Sequence, residues 1–488
     1  MRTYLCTSTV VLLVICGLTI RSYAQQPTHV GDLTLEPYLF KTQDGQEVEA
    51  ELGTLVVPEK RGDPNTRLIE LAFVRFKSTS ENPGSPIIYL AGGPGGSGIS
   101  AASGVRFPVF TALREFGDVI ALDQRGVGRS RPNLVCPDKL HFTLDEPTGE
   151  DYFIDVVQAH ARSCAAYWSE RDVDLDAYNT VESADDLNDL RQALGAEKMT
   201  LWGISYGTHL ALATIKRHEA HIDRVLLHGV EGLHQTLKIP LEIEQRFEAL
   251  DRMTSQDATL GKMVPSLSGL MRRIMDQLEE EPVTVEVTHP ATGESVSATI
   301  GKFHLQIVTA FMLHNRQRMS LLPLFYLGLS QGNYTMLAQS TLGLSQEPIS
   351  AMASAMDCAS GVSDTRLATI KAQQDEALLG RGLDFFIPAV CPTWGISDLG
   401  PDFRSPIEST IPTLFISGTL DFRTPPSNAE AASAGFLNSE LVIIEGAGHD
   451  NDLFVSSPEI LQIMKAFMRG QPLPTRRITL SPIAFRTP

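Results

Sequence analysis

Six short, mainly apolar segments without polar–apolar alternation constrain the fold of this chain more than any other feature. They stop at a glycine or a polar residue, and they cover 86–90, 118–122, 199–202, 224–227, 413–416 and 441–444. Apolar runs without alternation are typical of strands that are buried on both faces of a parallel sheet. Segments with helical apolar spacing lie between them at 184–194 and 206–217, and another follows the last of them at 458–468. The alternation predicts a mostly parallel, doubly wound α/β sheet.

Two further regions complete the predicted organisation. Residues 51–57 and 69–76 alternate polar and apolar side chains, which predicts an antiparallel hairpin at one sheet edge. The strand–helix alternation stops after residue 231, just past the sixth predicted core strand, and it resumes near 406. We expect 25–231 and 406–488 to form one core, and 232–405 to be a mainly helical cap. An insertion at the carboxyl ends of the strands would cover the crevice where open α/β sheets bind ligands.

The N-terminus has the three parts of a signal peptide. Arg2 precedes an apolar run at 10–20, and Ser22-Tyr23-Ala24 places small residues before a cleavage site. The run is too short to cross a ~30 Å hydrocarbon core, so an uncleaved anchor is the weaker alternative. We therefore expect 1–24 to be removed and the protein to be secreted or periplasmic, without stable membrane association afterwards.

Charge and cysteine content limit the partners. The formal net charge is −18, and an acidic protein repels phosphate backbones, which argues against nucleic acid. The chain that follows the signal keeps four cysteines, Cys136, Cys164, Cys358 and Cys391. Exported proteins use such cysteines for disulfides, and of three possible pairings we expect the sequential one; buried free thiols are the alternative. Because no cysteine or histidine cluster has metal-ligand spacing, we expect no metal and no cofactor.

Ser205 is the candidate nucleophile. It lies in Gly203-Ile204-Ser205-Tyr206-Gly207, directly after a predicted strand and before a predicted helix. In that context G-x-S-x-G predicts a tight turn that lifts the serine hydroxyl off the sheet at a helix N-terminus. The alternative is a serine that only caps the helix.

A base and an orienting acid follow in the order that this nucleophile motif requires. His449 lies in a glycine-rich loop after the last predicted strand, and Asp421 follows the strand before it. The carboxyl ends of neighbouring parallel strands meet at one sheet edge, so the two side chains should lie together. His228, which ends a strand, is the nearest rival base, whereas Asp450 should point away from its neighbour His449.

The oxyanion of an acyl-transfer reaction needs main-chain N–H donors. One should come from Tyr206, the residue after the nucleophile, and another from the glycine-rich loop at 91–98. That loop lacks the spacing of a nucleotide-binding motif. Asp123 and Arg125, in the loop after the next strand, are interpreted as braces between loops rather than as reacting groups.

Taken together, the motifs resemble those of the prolyl aminopeptidase and tripeptidyl aminopeptidase family of α/β-hydrolase serine peptidases. The resemblance is carried by GGPGGSG at 92–98, DQRGVGRS at 123–130, GISYGT at 203–208, Asp421 in GTLDFRTP and His449 in GAGHD. The large cap and the cysteine segments are similar to the secreted tripeptidyl branch. The resemblance implies an α/β-hydrolase fold and hydrolysis of small peptides from a free N-terminus through an acyl-serine, with Gly93 and Tyr206 as oxyanion donors.

The chain departs from the family pattern at Ala91, where a histidine is usual, and at His228, which stands in place of an aspartate. These departures leave the substrate class open. Glu231 and Asp357 could hold a substrate ammonium group, although structural acids are the simpler interpretation, and no substrate-binding residue is assigned. A carboxylesterase with the same machinery is the main alternative, and a non-catalytic binding protein is the weaker one, since Ser205, Asp421 and His449 are all present. The length of peptide released and the oligomeric state are not predicted.

Overall fold

The computed structural model describes residues 29–142, 149–289, 293–344, 349–384 and 387–487. The predicted signal peptide at 1–24 lies outside the described residues. Among the residues that are described, no helix combines the length and the apolar character needed to cross a bilayer.

A single ten-stranded sheet organises the chain, in the order β1-β2-β3-β5-β4-β6-β7-β10-β11-β12. The strands are β1 Leu33–Lys41, β2 Glu47–Pro58, β3 Leu68–Phe76, β4 Ile87–Leu90, β5 Val119–Leu122, β6 Met199–Ser205, β7 Ile222–Val230, β10 Thr413–Gly418, β11 Ser439–Glu445 and β12 Arg477–Thr479. From β5 through β12 the neighbours are parallel, whereas β1, β2, β3 and β5 pair antiparallel. All six apolar runs are strands, so the predicted doubly wound sheet is confirmed.

The predicted edge hairpin is correct in its pairing but wrong in its position. Its two strands are β2 and β3, which pair antiparallel, but β1 lies outside them and forms the edge. Pro37 interrupts the β1 sequence and cannot donate to a neighbouring strand, which is why such a segment is tolerated at an edge and is hard to predict.

Helices cover both faces of the sheet. They are α1 Gly98–Ser103, α2 Phe107–Leu113, α3 Glu150–Ser169, α4 Thr180–Ala193, α5 Tyr206–His218, α17 Pro426–Ser433, α18 Asp452–Val455 and α19 Pro458–Met468. In α19 the apolar face of Ile460, Ile463, Met464 and Phe467 is buried against the sheet, as its helical spacing predicts.

The long insertion lies between β7 and β10. It contains α6 Pro240–Glu244, α7 Phe247–Gln256, α8 Leu267–Glu280, α9 Lys302–Met312, α10 Arg316–Met319, α11 Leu322–Ser330, α12 Thr335–Leu344, α13 Ala351–Ser360, α14 Asp364–Gln373, α15 Ile387–Trp394, α16 Gly400–Arg404 and the hairpin of β8 Val283–Thr288 and β9 Ser295–Ile300. It is mainly helical, as predicted. Because β1 was not predicted, the insertion follows the seventh strand in chain order rather than the sixth.

The insertion contributes to two hydrophobic cores. Its first part has a core of its own, which includes Leu250, Met271 and Tyr326 and which Phe485 of the C-terminal tail joins. Helix α13 instead packs into the core under the sheet through Met352 and Met356. The hydroxyl of Tyr206, the first residue of α5, donates to the sulfur of Met356 at 3.0 Å. Thus α13 supports the helix that follows Ser205.

Two disulfides flank α13 and have the sequential pairing. Cys136–Cys164 joins the loop after β5 to α3, and Cys358–Cys391 joins α13 to α15. Main-chain bonds tie the same loop to the start of α13, because Ala351 N–H donates to the carbonyl of Leu134 at 2.8 Å. The main-chain bonds therefore fasten the returning part of the insertion to the sheet domain, while each disulfide braces one side of that contact.

Candidate active site

Ser205 stands on a strained turn between β6 and α5. Its backbone has φ 54° and ψ −127°, in a region that L-residues rarely adopt and that costs about 1–3 kcal/mol. A Cβ atom on Gly203 would lie 2.5 Å from the carbonyl oxygen of Gly207, and one on Gly207 would lie 2.1 Å from that of Leu90. Only glycine fits at both positions, which is why the motif has glycines on either side of the serine.

Asp421 and His449 form a buried hydrogen-bonded pair. The imidazole Nδ1 lies 2.7 Å from Asp421 Oδ2, and both side chains are almost fully buried. The other carboxylate oxygen, Oδ1, accepts main-chain N–H groups from Arg423 and Thr424, each at 2.7 Å. Burial alone would raise the pKa of Asp421, but the charge and hydrogen bond of His449 outweigh it, so the pKa lies below its usual value. Asp421 is therefore an acceptor that fixes the tautomer of His449.

Ser205 and His449 open into one cavity of about 500 Å³. The glycine-rich loop forms one wall of it, and a Cβ atom on Gly92 would lie 2.9 Å from the Cβ of Ser205. Gly93, the first predicted oxyanion donor, lines the same cavity. Tyr206, the second, has its ring buried in the core, so its main-chain N–H in the first turn of α5 is what it offers the site.

His228 and Asp450, the alternatives to His449 and Asp421, make contacts with other residues. His228 is fully buried, and its Nδ1 lies 3.0 Å from the carbonyl oxygen of Leu453 while its ring stacks on Phe454. Burial lowers the pKa of His228 to about 3. Asp450 forms an ion pair with Arg106 rather than with its neighbour His449. Neither residue competes with Asp421 and His449 for the site.

Asp123 and Arg125 brace the loops around the site. Asp123 accepts hydrogen bonds from the hydroxyl of Ser97, at 2.6 Å, and from the N–H of Arg129, at 2.8 Å. Arg125 is fully buried and pairs with Asp186 at 2.7 Å. Because Ser97 belongs to the glycine-rich loop, Asp123 fixes that loop from behind, as the structural interpretation predicts.

Three residues near the pair were not anticipated. Thr424 donates its hydroxyl to Asp421 Oδ2 at 2.9 Å. Arg106, from the start of α2, binds Asn451 and Asp450 and so supports the loop that carries His449. His314, from the insertion, accepts the main-chain N–H of His449 at 3.0 Å. Only Thr424 had a local signal, since an aspartate side chain commonly accepts main-chain N–H groups of the residues that follow it in a turn.

Charged residues complete the cavity lining. Glu231 follows β7, Lys238 lies at the start of the insertion and Arg423 follows β10, and all three line the cavity. Burial raises the pKa of Glu231, and the charges of Lys238 and Arg423 oppose that rise. Burial, followed by repulsion from Glu231, raises the pKa of Asp357 well above its ordinary value. Within the described ranges, no cluster of three His, Cys, Asp or Glu residues could hold a metal ion.

Comparison with known proteins places the chain in a class. Residues 85–290 match the family model of the alpha/beta hydrolase fold, and 384–479 match that of TAP-like proteins. A thermophilic esterase from Thermogutta terrifontis aligns at 16% identity and TM-score 0.35, covering 86% of this chain and 98% of that one. The family models and the sheet order, rather than this alignment, show that the chain has the α/β-hydrolase fold.

Relatives narrow the class further. The chain is 35% identical over 201 residues to the serine protease Hip1 of Mycobacterium tuberculosis, covering 40% of this chain and 38% of Hip1. It is 32% identical over 190 residues to the tripeptidyl aminopeptidase of Streptomyces lividans, covering 37% and 35%. With proline iminopeptidase of Arabidopsis thaliana the identity is 26% over 198 residues, covering 40% and 39%. The chain thus spans less than two fifths of the length of each of these relatives, and over that part it is similar to proteins named serine protease, tripeptidyl aminopeptidase and proline iminopeptidase.

Proposed function

We propose that this protein is a secreted serine exopeptidase that releases short peptides, or an N-terminal proline, from a free N-terminus through an acyl-serine intermediate. One observation carries the proposal. Ser205, held on a strained turn, opens into the same cavity as His449, whose Nδ1 is bonded to the buried carboxylate of Asp421. That arrangement provides a nucleophile, a base and an orienting acid.

The proposal gives each group a role. Because Asp421 holds Nδ1, the Nε2 of His449 is left to take the proton of the Ser205 hydroxyl as it attacks the scissile carbonyl. His449 then returns that proton to the leaving amine. The main-chain N–H groups of Gly93 and Tyr206 stabilise the oxyanion of each tetrahedral intermediate. Water attacks the acyl-serine in the second half, with His449 again as base, and releases the N-terminal product.

Glu231 supports the choice of an exopeptidase. Its carboxylate is buried and lines the cavity that Ser205 and His449 share. A buried carboxylate gains most from a cation that enters its site, since burial has already removed its water. The α-ammonium group of a peptide is such a cation, so Glu231 favours substrates with a free N-terminus and disfavours blocked ones.

Secretion is part of the proposal. Both disulfides are formed by cysteines outside the predicted signal, and stable disulfides are typical of oxidising compartments. The C-terminal region also matches the TAP-like family model. These features support a periplasmic or extracellular location, to which the predicted signal at 1–24 would direct the chain.

A matched substrate panel tests the proposal. Tripeptide and proline anilides with a free amine are compared with the same compounds carrying an N-acetyl group, and with acyl esters of similar size. We expect hydrolysis of the free-amine anilides only. Glu231→Gln should raise KM for them by about 10- to 100-fold, because a charge-assisted hydrogen bond is worth about 1.5–3 kcal/mol. Glu248→Gln, at an exposed position on α7, is the control and should leave KM unchanged.

The panel separates the alternatives. Equal cleavage of blocked and free anilides, with no selective effect of Glu231→Gln, would contradict the exopeptidase assignment and leave a serine endopeptidase. Efficient cleavage of esters alone would identify a carboxylesterase. Absence of turnover on the whole panel would favour a non-catalytic binding protein.

A further inference from the structure

A loop of the insertion lies directly on the loop that carries His449. This His314 loop, residues 313–320, follows α9 and contains the short helix α10. The main-chain carbonyl of His314 accepts the N–H of His449 at 3.0 Å. The two imidazole rings meet edge to face, with centroids 5.2 Å apart and planes at 87°. His449 is therefore held by Asp421 at Nδ1 and by His314 from the insertion side.

Further bonds fasten the two loops to each other. One carboxylate oxygen of Asp452 accepts the main-chain N–H of Arg316, at 2.9 Å, and that of Gly448, at 3.0 Å. The Arg316 guanidinium donates to the carbonyl of Gly446. A Cβ atom on Gly448 would lie 3.2 Å from the Cα of Asn315, so the backbones are in close contact. This contact fixes where the His314 ring stands relative to His449.

The surroundings keep His314 neutral. Burial, followed by the charges of His449 and Arg423, lowers its pKa to about 3, while Asp450 and Asp421 oppose that shift. A neutral ring does not repel the imidazolium that His449 becomes when it takes the serine proton. His314 can thus face the base closely without making its protonation unfavourable.

We propose that His314 is a positioning residue for the base: its ring and its carbonyl hold the His449 imidazole in the orientation that reaches Ser205, so that the base is fully aligned only when the insertion is docked. The inference rests on the proposed role of His449 as general base. It adds that the insertion, besides covering the cavity, takes part in assembling the reacting groups.

Three variants of the full chain test the proposal. His314→Ala removes the ring, and His314→Phe keeps an aromatic ring of similar size. His304→Ala is the control: it truncates a buried histidine on α9 whose ring nitrogen accepts the N–H of Gly301. The measurements are the rate of fluorophosphonate labelling at Ser205, kcat and KM on the preferred free-amine anilide, and thermal unfolding.

We expect His314→Ala to lower kcat and the labelling rate by about 10- to 100-fold, because small misplacements of a catalytic group can cost 10²-fold. KM should change less than about 3-fold, since the ring acts through the base. His314→Phe should recover most of the loss. His304→Ala should lower the melting temperature while labelling stays near the wild-type rate.

Specific results would overturn the inference. These are a folded His314→Ala that labels at the wild-type rate, a change in KM with kcat unchanged, or a folded His314→Phe as slow as His314→Ala. If His314→Ala does not fold, the labelling rate of His314→Phe decides, because the proposal requires it to stay near wild type. Wild-type protein that fails to label at Ser205 would contradict the proposed function, and this inference with it.

Discussion

Replacing Asp421 by asparagine is expected to invert the hydrogen bond that orients His449. The two main-chain donors of Arg423 and Thr424 at Oδ1 require an oxygen there, so the new amide must place its NH₂ group toward His449. That group donates to Nδ1 and forces the proton onto Nε2, which then cannot accept the proton of Ser205. We expect kcat to fall by about 10⁴-fold, or about 5 kcal/mol of transition-state stabilisation, as in other triads with the wrong tautomer.

The assay is kcat and the fluorophosphonate labelling rate of Asp421→Asn, with thermal unfolding to verify the fold. Asp450→Asn is the control, because that side chain pairs with Arg106 and an asparagine tolerates its left-handed backbone of φ 63°. The control should stay within a few-fold of wild type. A kcat for Asp421→Asn within about 10-fold of wild type would refute the reasoning, as would a larger loss in the Asp450 control.

Three further results are expected. Thr424→Val keeps the shape of the side chain but removes the hydroxyl that donates to Asp421, so kcat should fall about 10- to 100-fold at constant KM. Steady-state kinetics in which only KM changes would contradict this role of Thr424. The KM for free-amine peptides should rise as the pH falls through the raised pKa of Glu231, because the neutral acid no longer attracts an ammonium group. If the KM of the wild type is as independent of pH as that of Glu231→Gln, Glu231 does not bind the substrate ammonium group. The double variant Cys358→Ser, Cys391→Ser should lose about 3–4 kcal/mol of stability, since the disulfide closes a loop of 33 residues. An unchanged melting temperature would show that this disulfide does not stabilise the fold.

The sequence was most informative where local pattern decides structure. The six apolar runs are strands because a short continuous apolar run is typical of a strand that is buried on both faces of a parallel sheet. Ser205, Asp421 and His449 follow three of those strands, so parallel topology alone brings their loops to one sheet edge. Disulfide pairing was predictable because each bond joins one cysteine to the next cysteine along the chain.

Contacts across long sequence separations could not be predicted. Nothing near His449 indicates that His314 would meet it, because the contact depends on how the insertion docks. The return of α13 to the core under the sheet was also missed, since its apolar spacing suits either core equally well. Only the tertiary packing distinguishes these possibilities.

The central claim is that Ser205 is a nucleophile activated by His449, and labelling followed by peptide mapping tests it most directly. The full chain is treated with a fluorophosphonate, digested, and analysed by mass spectrometry alongside Ser205→Ala and His449→Ala. We predict a single adduct on the peptide containing Ser205, none in Ser205→Ala, and a labelling rate in His449→Ala that is lower by at least about 100-fold. An adduct at another serine, or labelling of Ser205→Ala at the wild-type rate, would contradict the account.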